Sequence, residues 1–326
     1  LVRYLVTGGA GFIGSNIVDE LLRRGQDVVV IDDLSVGREE NLAGVRDRIE
    51  FRKDTIKDLQ AVRSASTGVE YVIHLAALAS VPRSVRNPLE TNAVNIDGTL
   101  NVLVAARDAK VRRVVYAASS SAYGEAKTLP KVETMPPAPV SPYGVTKYVG
   151  ELYAQVFGRV YGLENVSVRF FNVFGPRQDP TSQYSGVLSR FMLAVIRDEQ
   201  PVIFGDGEQS RDFTFIENIV DETLRACEAA GASGQVFNGG TGARITLNEV
   251  IKLLEKVSGK KITPKYDPPR EGDIRDSQAD ISLAQKILGY RPLVYFEEGL
   301  RRTWEWYKAA YGAGRKPQLS TMPESR

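Results

Sequence analysis

A strand, a glycine-rich turn and a helix open this chain, and that succession limits the fold more than anything after it. Residues 3–7 read Arg-Tyr-Leu-Val-Thr, an apolar, β-prone run. Thr7-Gly8-Gly9-Ala10-Gly11-Phe12-Ile13-Gly14 follows, with Gly8, Gly11 and Gly14 spaced G-x-x-G-x-x-G. Residues 12–24 then carry Ile13, Ile17, Leu21 and Leu22 at helical spacing and stop at Gly25. Such glycines permit a tight turn, close approach of backbone to a pyrophosphate, and close helix–strand packing. The helix N-terminus, at Phe12 and Ile13, offers amide donors and positive potential to phosphates. An acid belongs at the end of the second strand, and Asp32 stands there, eighteen residues beyond Gly14, with Asp33 beside it. Asp32 can accept hydrogen bonds from both adenosine ribose hydroxyls and would repel a 2′-phosphate, which favours NAD over NADP.

Strand-like and helix-like segments alternate through the first half. Residues 3–7, 27–31, 49–52, 70–75, 112–118 and 165–170 read as strands, and 235–238 as a seventh. Their near-continuous β-branched character suits strands buried on both faces of a parallel sheet. The pattern predicts an α/β fold with a doubly wound parallel sheet. The expected division is a dinucleotide-binding domain over 1–172, its sheet completed by 235–239. A smaller mixed α/β lobe for the substrate is expected over 173–311, and a frayed tail over 312–326. Residues 76–77, both alanine, and Leu75 end the fourth strand and join the expected cofactor contacts.

Composition removes several classes of function. The chain has 326 residues and a net charge of +2, too small for a nucleic-acid surface. Its one cysteine, Cys227, cannot form an internal disulfide, and its one histidine, His74, excludes clustered histidine ligands, so no metal is expected. His74 lies in the apolar run Tyr71-Val72-Ile73-His74-Leu75 and is expected to be structural. No apolar run approaches the roughly 20 residues that cross a bilayer, and a cytoplasmic location is expected.

Ser141-Pro142-Tyr143-Gly144-Val145-Thr146-Lys147 places a tyrosine one helical turn ahead of a lysine. The serine and proline mark a helix start. A cation beside the phenol should lower its pKa and make it a base for an alcohol proton. Tyr123 and Lys127 have the same spacing, but Pro130, Pro136 and Pro137 follow and argue for loop. The serine run Ser119-Ser120-Ser121 follows the fifth strand, at the sheet edge where such folds bind ligands.

Together these motifs resemble the extended short-chain dehydrogenase/reductase family, with its Rossmann-like fold, and within it the UDP-sugar 4-epimerases. The resemblance implies that Tyr143 is the catalytic base, that Lys147 orients the nicotinamide ribose, and that Ser119 is the catalytic hydroxyl. Ala79, Ser80, Ser120, Ser121, Gly186 and Val187 would line the sugar side, and Asn172 would lie near the sugar diphosphate. Ile203 and Phe204 would sandwich uracil; Arg211 and Arg270 would hold the diphosphate, and Asp273 the uridine ribose. Many relatives carry Gly-Asp after the third strand, whereas this chain reads Lys53-Asp54-Thr55-Ile56, so adenine falls to Asp54 or Thr55.

The implied reaction removes hydride from sugar C4, turns over a 4-keto hexose and returns hydride to the other face. Related 4,6-dehydratases carry Asp-Glu where Ser120-Ser121 stands, and related decarboxylases carry Glu at Ser121. Neither acid is here, which favours epimerisation. Ser277 matches the position that sets pocket size: tyrosine in relatives restricted to UDP-Glc and UDP-Gal, a small residue in those accepting N-acetylated sugars. UDP-GlcNAc and UDP-GalNAc are therefore expected, with UDP-Glc and UDP-Gal also accepted. The alternatives are a UDP-glucuronate 4-epimerase and a non-catalytic NAD-binding sensor. Residues 96–109 and 145–161 carry more apolar positions than one sheet face needs, so a homodimer on these helices is expected.

Overall fold

A computed structural model describes residues 1–180, 186–269 and 274–312. The expected strands form as β1 (Arg3–Thr7), β2 (Asp27–Ile31), β3 (Glu50–Arg52), β4 (Tyr71–His74), β5 (Arg113–Ser119), β6 (Glu164–Phe170) and β7 (Val236–Gly239). They make one seven-stranded sheet, ordered β7-β6-β5-β4-β1-β2-β3, and every pairing is parallel. Alternate side chains serve opposite faces. Leu5, Val29, Val72 and Val114 enter one core, while Tyr4, Val6, Val30, Ile73 and Val115 enter the other. Burial on both faces explains the unbroken apolar runs.

Four helices matter for the site: α1 (Phe12–Arg23), α2 (Gly98–Asp108), α3 (Pro142–Tyr161) and α4 (Ile216–Glu228). Val102 and Leu103 of α2 and Phe157 of α3 fill the first core, and Ile17 and Leu21 of α1 and Leu224 of α4 the second. α3 starts where the motif indicates: the Ser141 hydroxyl accepts from Gly144 N at 3.1 Å, with proline in the first turn. It ends on Gly162 at φ 70°, a left-handed cap suited to glycine.

The second core runs on without a break through Phe174, Phe213, Phe215 and Phe296. Small paired strands follow there: Val173–Phe174 with Thr214–Phe215, Val202–Phe204 with Lys265–Asp267, and Ser210–Arg211 with Ile245–Thr246. The chain then returns to the sheet, so α4 as well as β7 belongs to its layers although both follow residue 172. The expected tail beyond 312 lies outside the described residues.

One helix begins differently from expectation. α2 starts at Gly98, after a wider π turn over Ala93–Asp97. The cause is tertiary. Buried Asn95 accepts from Leu78 N at 2.8 Å and donates to Thr146 Oγ1 at 3.0 Å, tying this turn to the cleft wall and to α3. None of the described helices is long and apolar enough to cross a membrane.

Candidate active site

Strand order reverses about β1 and β4, and ligands bind at such a reversal on the carboxyl edge of the sheet. A cleft of about 500 Å³ opens there. Gly8, Gly11, Phe12, Ile13, Gly14, Asp32, Asp33, Leu75, Ala76 and Ala77 all line it, as do Ala79, Ser119, Ser120, Ser121, Tyr143, Lys147 and Asn172.

The cofactor end is built for a dinucleotide. Gly8 has φ +71°, and a Cβ on it would meet Ala76 N at 2.8 Å; one on Gly14 would meet the Gly8 carbonyl at 2.2 Å. Gly11 caps α1 without a side-chain bond, which leaves first-turn N–H groups for phosphate oxygens. Asp32 is aimed by its backbone: Oδ2 accepts from Ala10 N and Oδ1 from Leu34 N, both at 2.9 Å. Burial pushes its carboxyl above the usual range, and those two bonds oppose the shift. Gly37 is a contact not expected from the sequence. A Cβ there would lie 2.8 Å from the Asp32 carboxylate, so only glycine passes over the acid. Of the two adenine alternatives, Asp54 lines the cleft, while the Thr55 hydroxyl favours the ionised form of Asp33.

At the other end, β5 delivers Ser119 and α3 delivers Tyr143 and Lys147. The Ser119 hydroxyl, which accepts from Ser121 N at 3.2 Å, favours the ionised form of the Tyr143 phenol. The Lys147 ammonium donates to the Ala117 carbonyl at 2.7 Å and lies 5.0 Å from the Tyr116 ring centre. Burial pushes Lys147 down to about 7, partly opposed by Glu151. Burial also holds the Tyr143 phenol above its ordinary value, with Ser119 opposing. That is the reverse of the direction expected from helical spacing alone. Enclosure costs the phenolate its hydration, and the lysine is directed to a carbonyl.

Tyr123 is not a second reacting tyrosine. Its hydroxyl donates to Asn238 Oδ1 at 2.6 Å in the interior, and Lys127 is exposed. His74 is neutral and structural: Thr7 Oγ1 lies 2.7 Å from Nδ1 and Thr99 Oγ1 2.9 Å from Nε2, and burial drives its pKa down to about 3.

Of the remaining expected residues, Asn172 lines the cleft, whereas Ser80, Gly186, Val187, Ile203, Phe204, Arg211 and Ser277 are not in its lining. Asn172 donates to Ser277 Oγ at 3.1 Å, which joins two positions 105 residues apart. Buried Asp212 sets this arrangement. Its Oδ2 accepts from Gly242 N at 3.0 Å and Ala279 N at 3.1 Å, and its Oδ1 from Thr241 N at 2.9 Å. Nothing in the sequence marks Asp212, because its main donors, three backbone N–H groups and the Thr241 hydroxyl at 2.7 Å, come from far along the chain. Ser80 caps the helix Val81–Arg86 by accepting from Arg83 N. Gly186 precedes the helix Val187–Ile196, beside Gln178, which also lines the cleft. Ile203 is buried in its strand with Phe204 next to it. Arg211 donates to the Arg275 carbonyl at 2.8 Å. Arg270 and Asp273 lie outside the described residues. Among the described residues, no group of three or more His, Cys, Asp or Glu is placed to hold a metal.

The model of the NAD dependent epimerase/dehydratase family matches residues 4–240, most of the chain. The chain belongs to that family. A UDP-glucose 4-epimerase of Mycolicibacterium smegmatis is 41% identical over 311 residues, covering 94% of this chain and 99% of that one. A UDP-glucuronate 4-epimerase of Thermodesulfobacterium geofontis is 35% identical, covering 94% and 96%. The solved UDP-N-acetylglucosamine 4-epimerase of Methanobrevibacter ruminantium, in complex with UDP-N-acetylmuramic acid, is 39% identical with a TM-score of 0.91, covering 95% and 99%. This epimerase therefore uses NAD, and the glycine cradle and Asp32 fit that cofactor.

Proposed function

We propose that this NAD-dependent UDP-sugar 4-epimerase interconverts UDP-GlcNAc and UDP-GalNAc, and also accepts UDP-Glc and UDP-Gal. The carrying observation is Ser277, a small side chain held against Asn172 where a bulkier one would take room from a C2 acetamido group. Ala79, small as well, lines the cleft together with Asn172. When bound, NAD supplies reversible hydride acceptance. On this reading, the chain's own groups handle the proton and the position of the sugar. Tyr143 takes the 4-hydroxyl proton and gives it back. Ser119 directs the phenol and the sugar hydroxyl, and Lys147 holds the nicotinamide ribose. Ser120 and Ser121 bring no carboxyl group, so elimination and decarboxylation lack their acid. Asn172 and Arg211 contribute to the diphosphate side.

We also propose a homodimer through α3. Val145, Leu152, Val156 and Val160 are exposed on it at spacings that form one stripe. The contribution expected from residues 96–109 is smaller, because Val102 and Leu103 are spent inside the core.

An epimerisation panel read by NMR, offering UDP-Glc, UDP-GlcNAc and UDP-GlcA, tests the substrate reading. Turnover of UDP-Glc with none of UDP-GlcNAc would sink it. Preference for UDP-GlcA would establish the uronate alternative instead.

A further inference from the structure

We propose that Glu151, clamped by Arg169, is a positioning residue for the reacting pair: it fixes the rotation of α3 against the sheet and supplies the counter-charge to the Lys147 ammonium. Tyr143, Lys147 and Glu151 recur at every fourth residue, so they share one face of α3. Lys147 is 4% exposed and Glu151 1%, an enclosure in which a carboxylate has no solvating role. Arg169 takes both its oxygens, Nε to Oε1 at 2.9 Å and Nη2 to Oε2 at 2.8 Å. A bidentate pair fixes orientation as well as charge.

The clamp and the lysine anchor stand on neighbouring strands. Arg169 on β6 is in register with Ala118 of β5, and the carbonyl that receives Lys147 belongs to Ala117. A rotation of α3 would break one bond or the other. Arg169 is itself held, its guanidinium 4.6 Å from the Tyr123 ring centre, and Tyr123 is bonded to Asn238 of β7. The polar chain from α3 to the sheet edge thus passes through Glu151, Arg169, Tyr123 and Asn238.

Several titratable groups face this pair. Tyr143 comes from α3 itself, Tyr116 from β5 and His74 from β4; Arg169 comes from β6, with Tyr123 and Glu133 on its far side. Against Lys147, burial opposes the charged form and Glu151 favours it. His74 adds no charge near neutral pH, since burial holds its pKa at about 3.

The inference rests on the assignment of Tyr143 and Lys147 to the reaction, so the test reads Lys147 directly. Glu151→Gln alone would strand a buried guanidinium, which is strongly destabilising. The decisive variant is Glu151→Leu with Arg169→Met, a pairwise replacement that buried ion pairs often tolerate. Lysine carrying a 13C label at Cε reports protonation by NMR in the NAD-loaded protein, with Lys147→Met to assign the resonance. The double variant should release the Lys147 proton about one pH unit lower than wild type. The alkaline limb of kcat should follow, with KM for UDP-sugar changed by less than about twofold. Glu151→Asp, which keeps the charge, should restore the wild-type titration. A folded double variant with an unmoved Lys147 titration overturns the proposal. A moved titration with an unmoved rate profile would remove Lys147 from the reaction, and the positioning role with it.

Discussion

Tyr143 and Lys147 have their pKa values displaced in opposite directions, the phenol up and the ammonium down, by one cause, enclosure, which penalises the phenolate and the ammonium alike. Near neutral pH the resting pair is therefore a neutral phenol beside a lysine close to its titration point. Tyr143→Phe should lower kcat by roughly 10²–10⁴-fold while NAD content, measured by mass spectrometry, is unchanged. Near-wild-type turnover would remove Tyr143 from the mechanism. Glu222 shows what burial does without a partner. It is fully buried on α4, neither oxygen has a hydrogen-bond partner, and burial together with Glu133, Asp221 and Asp212 holds its carboxyl well above the ordinary range. A raised folded pKa means that the proton on Glu222 stabilises the fold at acid pH, and that this contribution is lost as pH rises through the folded value. Glu222→Leu should accordingly raise the melting temperature, more at pH 9 than at pH 5, by roughly 2–4 °C per kcal/mol recovered. Thermal melts with the same shift at both pH values would contradict the assignment.

Elements differ in how much of themselves they write into the sequence. The sheet strands are legible because burial on both faces demands unbroken β-branched runs, and α3 is legible because its serine–proline start and Gly162 stop are local. The π turn at Ala93–Asp97 is not, since Asn95 bonds to Leu78 and Thr146, which only the fold brings near. The site divides the same way. Gly8, Gly14 and Asp32 belong to one spaced strand–turn–helix–strand pattern and can be read directly. Asp212 and Arg169 act through partners on other elements and leave no pattern. α3 also carries the surface consequence. Val156 is 47% exposed in its apolar stripe, so Val156→Glu should convert a dimer to monomer in sedimentation velocity at micromolar concentration. A wild-type monomer, or a dimer indifferent to the change, would refute the interface.

Across the whole molecule, the substrate choice proposed above rests on two remote segments meeting. Asn172 follows β6, Ser277 comes late in the chain, and Asp212 ties the intervening loops to both. Because Ser277 is only 9% exposed, a phenol there must intrude on the space around Asn172. Ser277→Tyr should depress turnover of the acetamido sugars selectively, leaving UDP-Glc turnover largely intact, because overfilling a shaped pocket penalises the larger ligand. Equal losses for both sugars would point to a general distortion and end the size argument.

The late arrival of β7 has a consequence for how the protein is made. β6 gains its outer neighbour only from residues 236–239, and α4 covers the sheet from residues 216–228. A chain released at residue 172 would present the open edge of β6 and an uncovered apolar face around Val115, Val166 and Val168, the surface on which strands of separate molecules join. That fragment should aggregate where the full chain does not, and a soluble, monomeric 1–172 fragment would show the reverse. On the ribosome the same surface stays open until residue 239 has emerged, so the half of the chain that carries the glycine turn and Asp32 depends for its solubility on segments made long after it.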